Sequence, residues 1–263
     1  MRRAAVHRLC PGFLIVLLLL NGCGSAGKIV LQEVSEKVYT VEPTANISIH
    51  NQDGAILVYG SEDNEVRVQS LKRAYSHERL DQIGIDVSIQ PGVVSIIAKV
   101  PRRPKWTLRD YSGTVDFTVV VPATASISAL DLSAGEVLID SMHGREVRAR
   151  LGDGRMFARD CFSNLDLATN RGTLTLTYDW WQQEKFSTRA SVGQGTAWVF
   201  LPTEAAFHLL AHAVHGKIAN DFNNVPLTAN SSMKVDQIIN GGGSATIQIR
   251  VDEGDVKIAE ANP

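Results

Sequence analysis

The sequence is poor in cysteine, in aromatic residues and in long apolar runs, and each shortage removes a class of protein. Three cysteines in 263 residues cannot build the dense disulfide framework of a small secreted scaffold. A bilayer-crossing helix needs roughly 20 consecutive apolar residues, whereas the run Phe13–Leu20 stops at eight. No charge dominates either: 26 Lys and Arg stand against 28 Asp and Glu. A general nucleic-acid binder would carry a basic excess to neutralise phosphate. Helical periodicity is scarce as well, and 21 glycines against 9 prolines point to many tight turns. What remains, with 44% hydrophobic and 21% charged residues, is the composition of a globular chain.

Residues 1–22 read as a signal peptide. Arg2, Arg3 and Arg8 make a basic head, Phe13–Leu20 the apolar centre, and Gly22-Cys23 the small-residue exit. Leu20-Asn21-Gly22-Cys23 resembles the bacterial lipobox. By that resemblance Cys23 becomes the first mature residue and carries a thioether-linked diacylglycerol, usually with an amide-linked acyl chain. Two or three chains suffice for stable membrane anchoring. Gly24 in place of Asp fits outer-membrane sorting in a Gram-negative organism. Without residues 1–22 the chain keeps 23 basic residues against 28 acidic, and Cys161 has no internal disulfide partner once Cys10 is removed and Cys23 is lipidated. Flanked by alternating residues, Cys161 reads as a small buried hydrophobe.

Beyond a tether over residues 23–37, the pattern over 38–260 is period two. Ile47-Ser48-Ile49-His50, Val115-Asp116-Phe117-Thr118-Val119, Leu165-Asp166-Leu167-Ala168 and Thr246-Ile247-Gln248-Ile249 alternate as half-buried strands do. The one helical candidate is Ser76–Ile83, with Ser76 placed to cap it. Strand, glycine turn and strand then recur around Gly54, Gly135, Gly154, Gly172, Gly195, Gly216 and Gly254. From Gly135 the spacings are 19, 18, 23, 21 and 38. A period near 20 with one turn glycine per unit predicts an all-β, Gly-cornered β-solenoid of parallel β-helix type, each coil stacked on the next. An antiparallel β-sandwich is the alternative, because hairpins also need glycine turns. Val41-Glu42-Pro43-Thr44, Val121-Pro122-Ala123 and Leu201-Pro202-Thr203 start alike, each with proline at the corner before a strand.

These phrases resemble a bacterial adhesin-like family of domains of unknown function, exported β-solenoids. The segments that carry the likeness are 49–58, 132–139, 215–222 and the closing Gly241–Ile258. The resemblance implies a β-solenoid over most of the chain and offers no catalytic residues.

Several constellations imitate chemistry. His208, His212 and His215 lie within zinc-binding distance along the chain, but on a strand 208 and 212 share a face that 215 does not. Gly152-Asp153-Gly154 and Gly241-Gly242-Gly243 lack the following helix that an anion site uses. No Gly-x-Ser-x-Gly elbow occurs. Two features have binding content. Arg102, Arg103, Lys105 and Trp106 gather in one loop, and Tyr178, Trp180 and Trp181 form an aromatic cluster; Arg grips carboxylate or phosphate and exposed rings stack on sugars. The expectation is a lipid-anchored, non-catalytic binding or scaffold protein of the cell envelope, with the membrane and an envelope glycan or protein as partners. No nucleic acid, metal or cofactor is expected beyond the lipid on Cys23. A carbohydrate-active β-helix enzyme and an envelope-stress sensor subunit are the other readings.

Overall fold

Alternating side chains become strand wherever they occur. The computed structural model describes residues 30–101, 113–222 and 233–261. Within them the chain forms β1 (Leu31–Thr40), β2 (Asn46–Ser61), β3 (Glu65–Ala74), helix α1 (His77–Asp81), β4 (Gly84–Gln90), β5 (Val93–Lys99) and β6 (Thr114–Pro122). It continues with β7 (Ser126–Asp140), β8 (Glu146–Arg159), β9 (Asn164–Thr177), β10 (Ser187–Pro202), β11 (Phe207–His215), β12 (Ile218–Asn220), β13 (Lys234–Ile239), β14 (Thr246–Glu253) and β15 (Val256–Ala261). All these strands join one open, mixed sheet. The helix is the expected one, trimmed: Ser76 accepts from the Arg79 N–H at 3.2 Å and Gln82 ends it.

The centre of the molecule is a parallel array of long strands, β2, β7, β8, β9 and β10, in register apart from a bulge near the start of β7, so that Gly54, Gly135, Gly154, Gly172 and Gly195 lie in a row. Gly254, between β14 and β15, lies against Gly195 and continues the row. All six have φ between +124° and +142°, which a Cβ strongly disfavours. Space is equally restrictive, since a Cβ on Gly154 would lie 1.9 Å from the Gly135 carbonyl oxygen.

Each long strand must fold back at its glycine. Fourteen extended residues of β8 would span roughly 46 Å, yet only Asp160–Ser163 connect its end to Asn164, which pairs with the first residue of β8, Glu146. Burial records the corner. In β8 the buried side chains are Val147, Ala149 and Leu151 before Gly154 but Met156 and Ala158 after it; in β9 they are Leu165, Leu167 and Thr169 before Gly172 and Leu174 and Leu176 after it. The two halves of each unit thus present their apolar faces to one shared core.

Three beginnings that look alike in sequence also turn alike. Ala45, Ala125 and Ala205 donate to the carbonyls of Glu42, Pro122 and Pro202 at 3.0, 2.9 and 3.0 Å, and each is followed by a strand.

The structure corrects the sequence reading in three places. Gly216 is not a positive-φ corner; it is required because a Cβ there would meet the Gly254 carbonyl oxygen at 1.8 Å. The units are not stacked in chain order throughout, because β14 and β15 lie against β10 and β11 and β12 lie beyond them. The spacing of 38 is the detour of the chain through β13, which pairs antiparallel with β11. Finally, strand pairing begins at Leu31, where β1 joins β3 antiparallel, so the folded part takes in residues assigned to the tether. Antiparallel pairs otherwise occur between β3 and β6 and between β4 and β5, away from the parallel centre.

Candidate functional site

The glycine row sets the positions of the surface side chains. Four residues before each corner stand His50, Asp131, Arg150, Ala168, Ser191 and Arg250, side by side across six strands. Two residues before the corner stand Ser133, Gly152, Asn170, Gly193 and Asp252. From Asp131 to Arg250 these two columns line an open groove of about 610 Å³ on the outer face of the sheet, and His50 continues the first column beyond it. The groove floor is low because Ala168, Ser191, Gly152 and Gly193 are small. Gly152 is fixed by crowding, since a Cβ would sit 2.2 Å from the Ser133 carbonyl oxygen.

Charge along the columns is arranged in pairs, most of them across neighbouring strands. His50 Nδ1 is 2.9 Å from Asp131 Oδ2. Arg150 donates at 2.8 Å to both the carboxylate and the carbonyl of Asp166. Arg250 reaches Asp252 at 2.8 Å and His212 Nδ1 at 3.3 Å. These side chains are half exposed, so water screens their mutual attraction and they remain open to exchange partners. The lining offers guanidinium, carboxylate, hydroxyl and amide groups spread along a trough, a surface suited to an extended, oxygen-rich ligand.

The predicted histidine triplet divides as the strand period requires. His208 pairs with Asp236 at 2.7 Å and His212 with Arg250, while His215 lies exposed at the end of β11. No metal-binding cluster of His, Cys, Asp and Glu is present among the described residues. Cys161 is fully buried and its thiol donates to the Arg159 carbonyl at 3.1 Å. Burial pushes its pKa up to about 12, the opposite of what a nucleophilic thiol needs.

The aromatic cluster is real, but most of it faces inward. Tyr178 is fully buried, donates from its hydroxyl to the Cys161 carbonyl at 3.1 Å, and is held protonated by burial. Trp181 packs edge-on against it at 5.5 Å and against Phe186 and Phe207 at 5.7 Å. Tyr178 is closed off from a ligand, and Trp181 is partly buried against the core. Trp180 is 46% exposed; it lies 4.5 Å from Phe162 and 6.4 Å from His143. Beside this turn, Arg159 holds the buried carboxylate of Asp140, and burial raises the pKa of Asp160.

Arg102, Arg103, Lys105 and Trp106 lie outside the described residues, as does Cys23. The strands that flank the basic segment can be placed: β5 runs alongside the first half of β2 and β6 alongside its second half, starting at Gly54. β5 therefore ends, and β6 begins, beside the Gly54 corner. Tyr178, Trp180 and Trp181 follow the end of β9, where units close.

Sequence reasoning misses the groove because its residues lie about twenty apart and differ in type. A signal exists in the spacing from the repeated glycine, since the position four residues earlier names every member of the first column.

No protein-family model matches the chain, and no curated protein matches it significantly. Among solved structures it is similar to a "putative cell adhesion protein" of Clostridium sporogenes, with 13% identity over 87% of this chain and all of the other and a TM-score of 0.54. A "putative adhesin" of Bacteroides fragilis matches at 12% identity over 86% of this chain and 97% of the other, with a TM-score of 0.31. A "putative lipid binding protein" of Parabacteroides distasonis matches at 9% identity over 87% and 97%, with a TM-score of 0.35. The first likeness supports the fold; at these identities none of them assigns a ligand.

Proposed function

We propose that this protein is a lipid-anchored binding protein of the cell envelope, adhesin-like and non-catalytic, built as a β-solenoid whose outer groove holds an anionic glycan. The observation that carries the reading is the groove itself. Two arginines, each in a half-exposed ion pair with an aspartate (Arg150 with Asp166, Arg250 with Asp252) and flanked by hydroxyl and amide side chains, stand along a trough that crosses several strands, and a polymer of sugar units presents carboxylates that can exchange with those aspartates and hydroxyls that meet the neutral groups. In-register stacking at about 4.8 Å per strand makes the trough a linear array rather than a single pocket. The aligned glycines and the parallel pairing support the solenoid reading, and the cell-adhesion neighbour supports the envelope role.

The basic segment Arg102, Arg103 and Lys105 is the second contributor we assign to retention of an anionic polymer, with Trp180 as the exposed stacking ring. The test uses the chain beyond the signal with Cys23→Ala, on immobilised polygalacturonate and, as the neutral comparison, dextran. Retention on polygalacturonate is expected at low salt and loss at high salt, since screening acts over about 8 Å at physiological strength. Arg150→Ala with Arg250→Ala should abolish retention and leave the melting transition in place, because both side chains are half exposed. If only the triple replacement of Arg102, Arg103 and Lys105 abolishes it, the groove is not the site. Release of saccharide fragments with time would overturn the non-catalytic reading.

A further inference from the structure

One end of the sheet is open to a partner. β1 is an edge strand that pairs only with β3 among the described residues. Its ten residues hold one unbroken register from Leu31↔Ala74 to Thr40↔Glu65, with no proline and no bulge. Proteins usually blunt such an edge with prolines, bulges, short length, charged side chains or a covering element, because a free row of N–H and C=O groups is a template for another strand; of these devices β1 carries charge, in Glu33, Glu36 and Lys37. Here the outward side chains add apolar surface: Val34 is 61% and Val38 48% exposed, with Leu71 directly behind Val34 on β3.

We propose that this edge is the dimerisation surface of the protein, β1 pairing antiparallel with β1 of a second copy about a two-fold axis at Ser35. The choice of occupant rests on charge. In that register residue i stands opposite residue 70 − i of the second copy, so Glu33 faces Lys37 and, by symmetry, Lys37 faces Glu33. Both lie on the face where Glu33 already meets Lys72 at 2.9 Å, which places each Glu33 between two ammonium groups. On the other face Val34 stands directly opposite Glu36 of the second copy and diagonal to its Val34 and Val38, within reach of side-chain contact. Neighbouring two-fold registers are worse. An axis at Val34 sets Glu33 opposite Ser35 and Lys37 opposite Leu31, with no opposed charges. An axis at Glu36 opposes Glu36 to itself, and one at Lys37 opposes Lys37 to itself, both destabilising in directly opposed positions. The register at Ser35 also uses nearly the whole length of β1. A two-fold contact of this kind closes on itself and does not propagate into a fibre.

The charge pattern supplies its own test. Sedimentation equilibrium of the chain beyond the signal, carrying Cys23→Ala, should give twice the monomer mass at tens of micromolar. Lys37→Glu leaves two acids opposed at each crossing and Glu33→Lys two bases, so each variant should sediment as a monomer; Lys37→Glu should melt close to the parent, and Glu33→Lys, which also loses the ion pair to Lys72, somewhat lower. Mixed in equal amounts, the two variants set a pair of carboxylates on one copy against a pair of ammonium groups on the other, and the dimer should return. Ser35→Cys places one thiol on the axis and should cross-link under mild oxidation more readily than Glu36→Cys. A monomeric parent at all concentrations overturns the proposal. So does a dimer that persists in either charge variant alone, which would locate the contact on another surface. Preferential cross-linking through Glu36→Cys overturns the register.

Discussion

At the scale of single residues, the row of glycines is the most demanding feature of the chain, and two separate requirements converge on it. Gly154 has φ +137° and its absent Cβ would lie 1.9 Å from a backbone oxygen. Gly241 has φ +78° with nothing within 4 Å of a Cβ. Comparing the two separates strain from collision. Gly241→Ala should cost about 1 kcal/mol, the lower end of the range for a residue forced into positive φ. Gly154→Ala carries that strain at a more forbidden φ and must also push two strands apart, so a loss above about 3 kcal/mol is expected. Thermal melts of the two variants check the difference; equal losses would mean that strand spacing at the corner is not fixed by backbone contact.

At the scale of elements, the repeating unit is legible in sequence and the order of units is not. Alternation and turn glycines depend on neighbouring residues, so the strand pairs around Gly135, Gly154 and Gly172 can be read directly. Which strand lies beside which depends on contacts across the fold. Nothing in Thr246-Ile247-Gln248-Ile249 marks it as a strand that enters between β10 and β11. The groove is hidden for the same reason: His50, Asp131, Arg150 and Arg250 form a column only once their strands are aligned. Tyr178 and Trp181 look like available rings in sequence because aromatic residues near a turn carry no mark of burial, and Phe162, Phe186 and Phe207, which cover them, lie elsewhere in the chain. The position of β14 has a direct consequence. Ending the chain after Gly243 removes the strand that β11 pairs with in parallel and takes Ile247, Ile249 and Val251 out of the core. The segment from β11 to β13 should then be cleaved by trypsin at low protease concentration, while β7 to β9, whose partners are intact, resist it. Uniform resistance would show that β11 can dock on β10 unaided.

At the scale of the whole molecule, the proposed anchor, groove and dimer edge make separable claims. No helix among the described residues is long and apolar enough to cross a membrane; the membrane attachment we propose is the lipid on Cys23. A thioether-linked diacylglycerol brings two acyl chains, and each buried methylene contributes about 0.8 kcal/mol, far more in sum than any exposed side chain of this sheet could add. Expressed in a bacterial host with its signal intact, the parent should enter the detergent phase on phase separation and Cys23→Ala should enter the aqueous phase or remain unprocessed. The replacement lies before β1, which begins at Leu31, and belongs to neither the glycine row nor the groove lining. Its melting transition, dimer mass and retention on polygalacturonate should therefore match those of the lipidated chain. If parent and Cys23→Ala fractionate alike, the lipobox reading fails while the groove and the dimer edge stand; if Cys23→Ala loses binding or dimer mass as well, the lipid is part of the interface and the independence of the three surfaces is refuted.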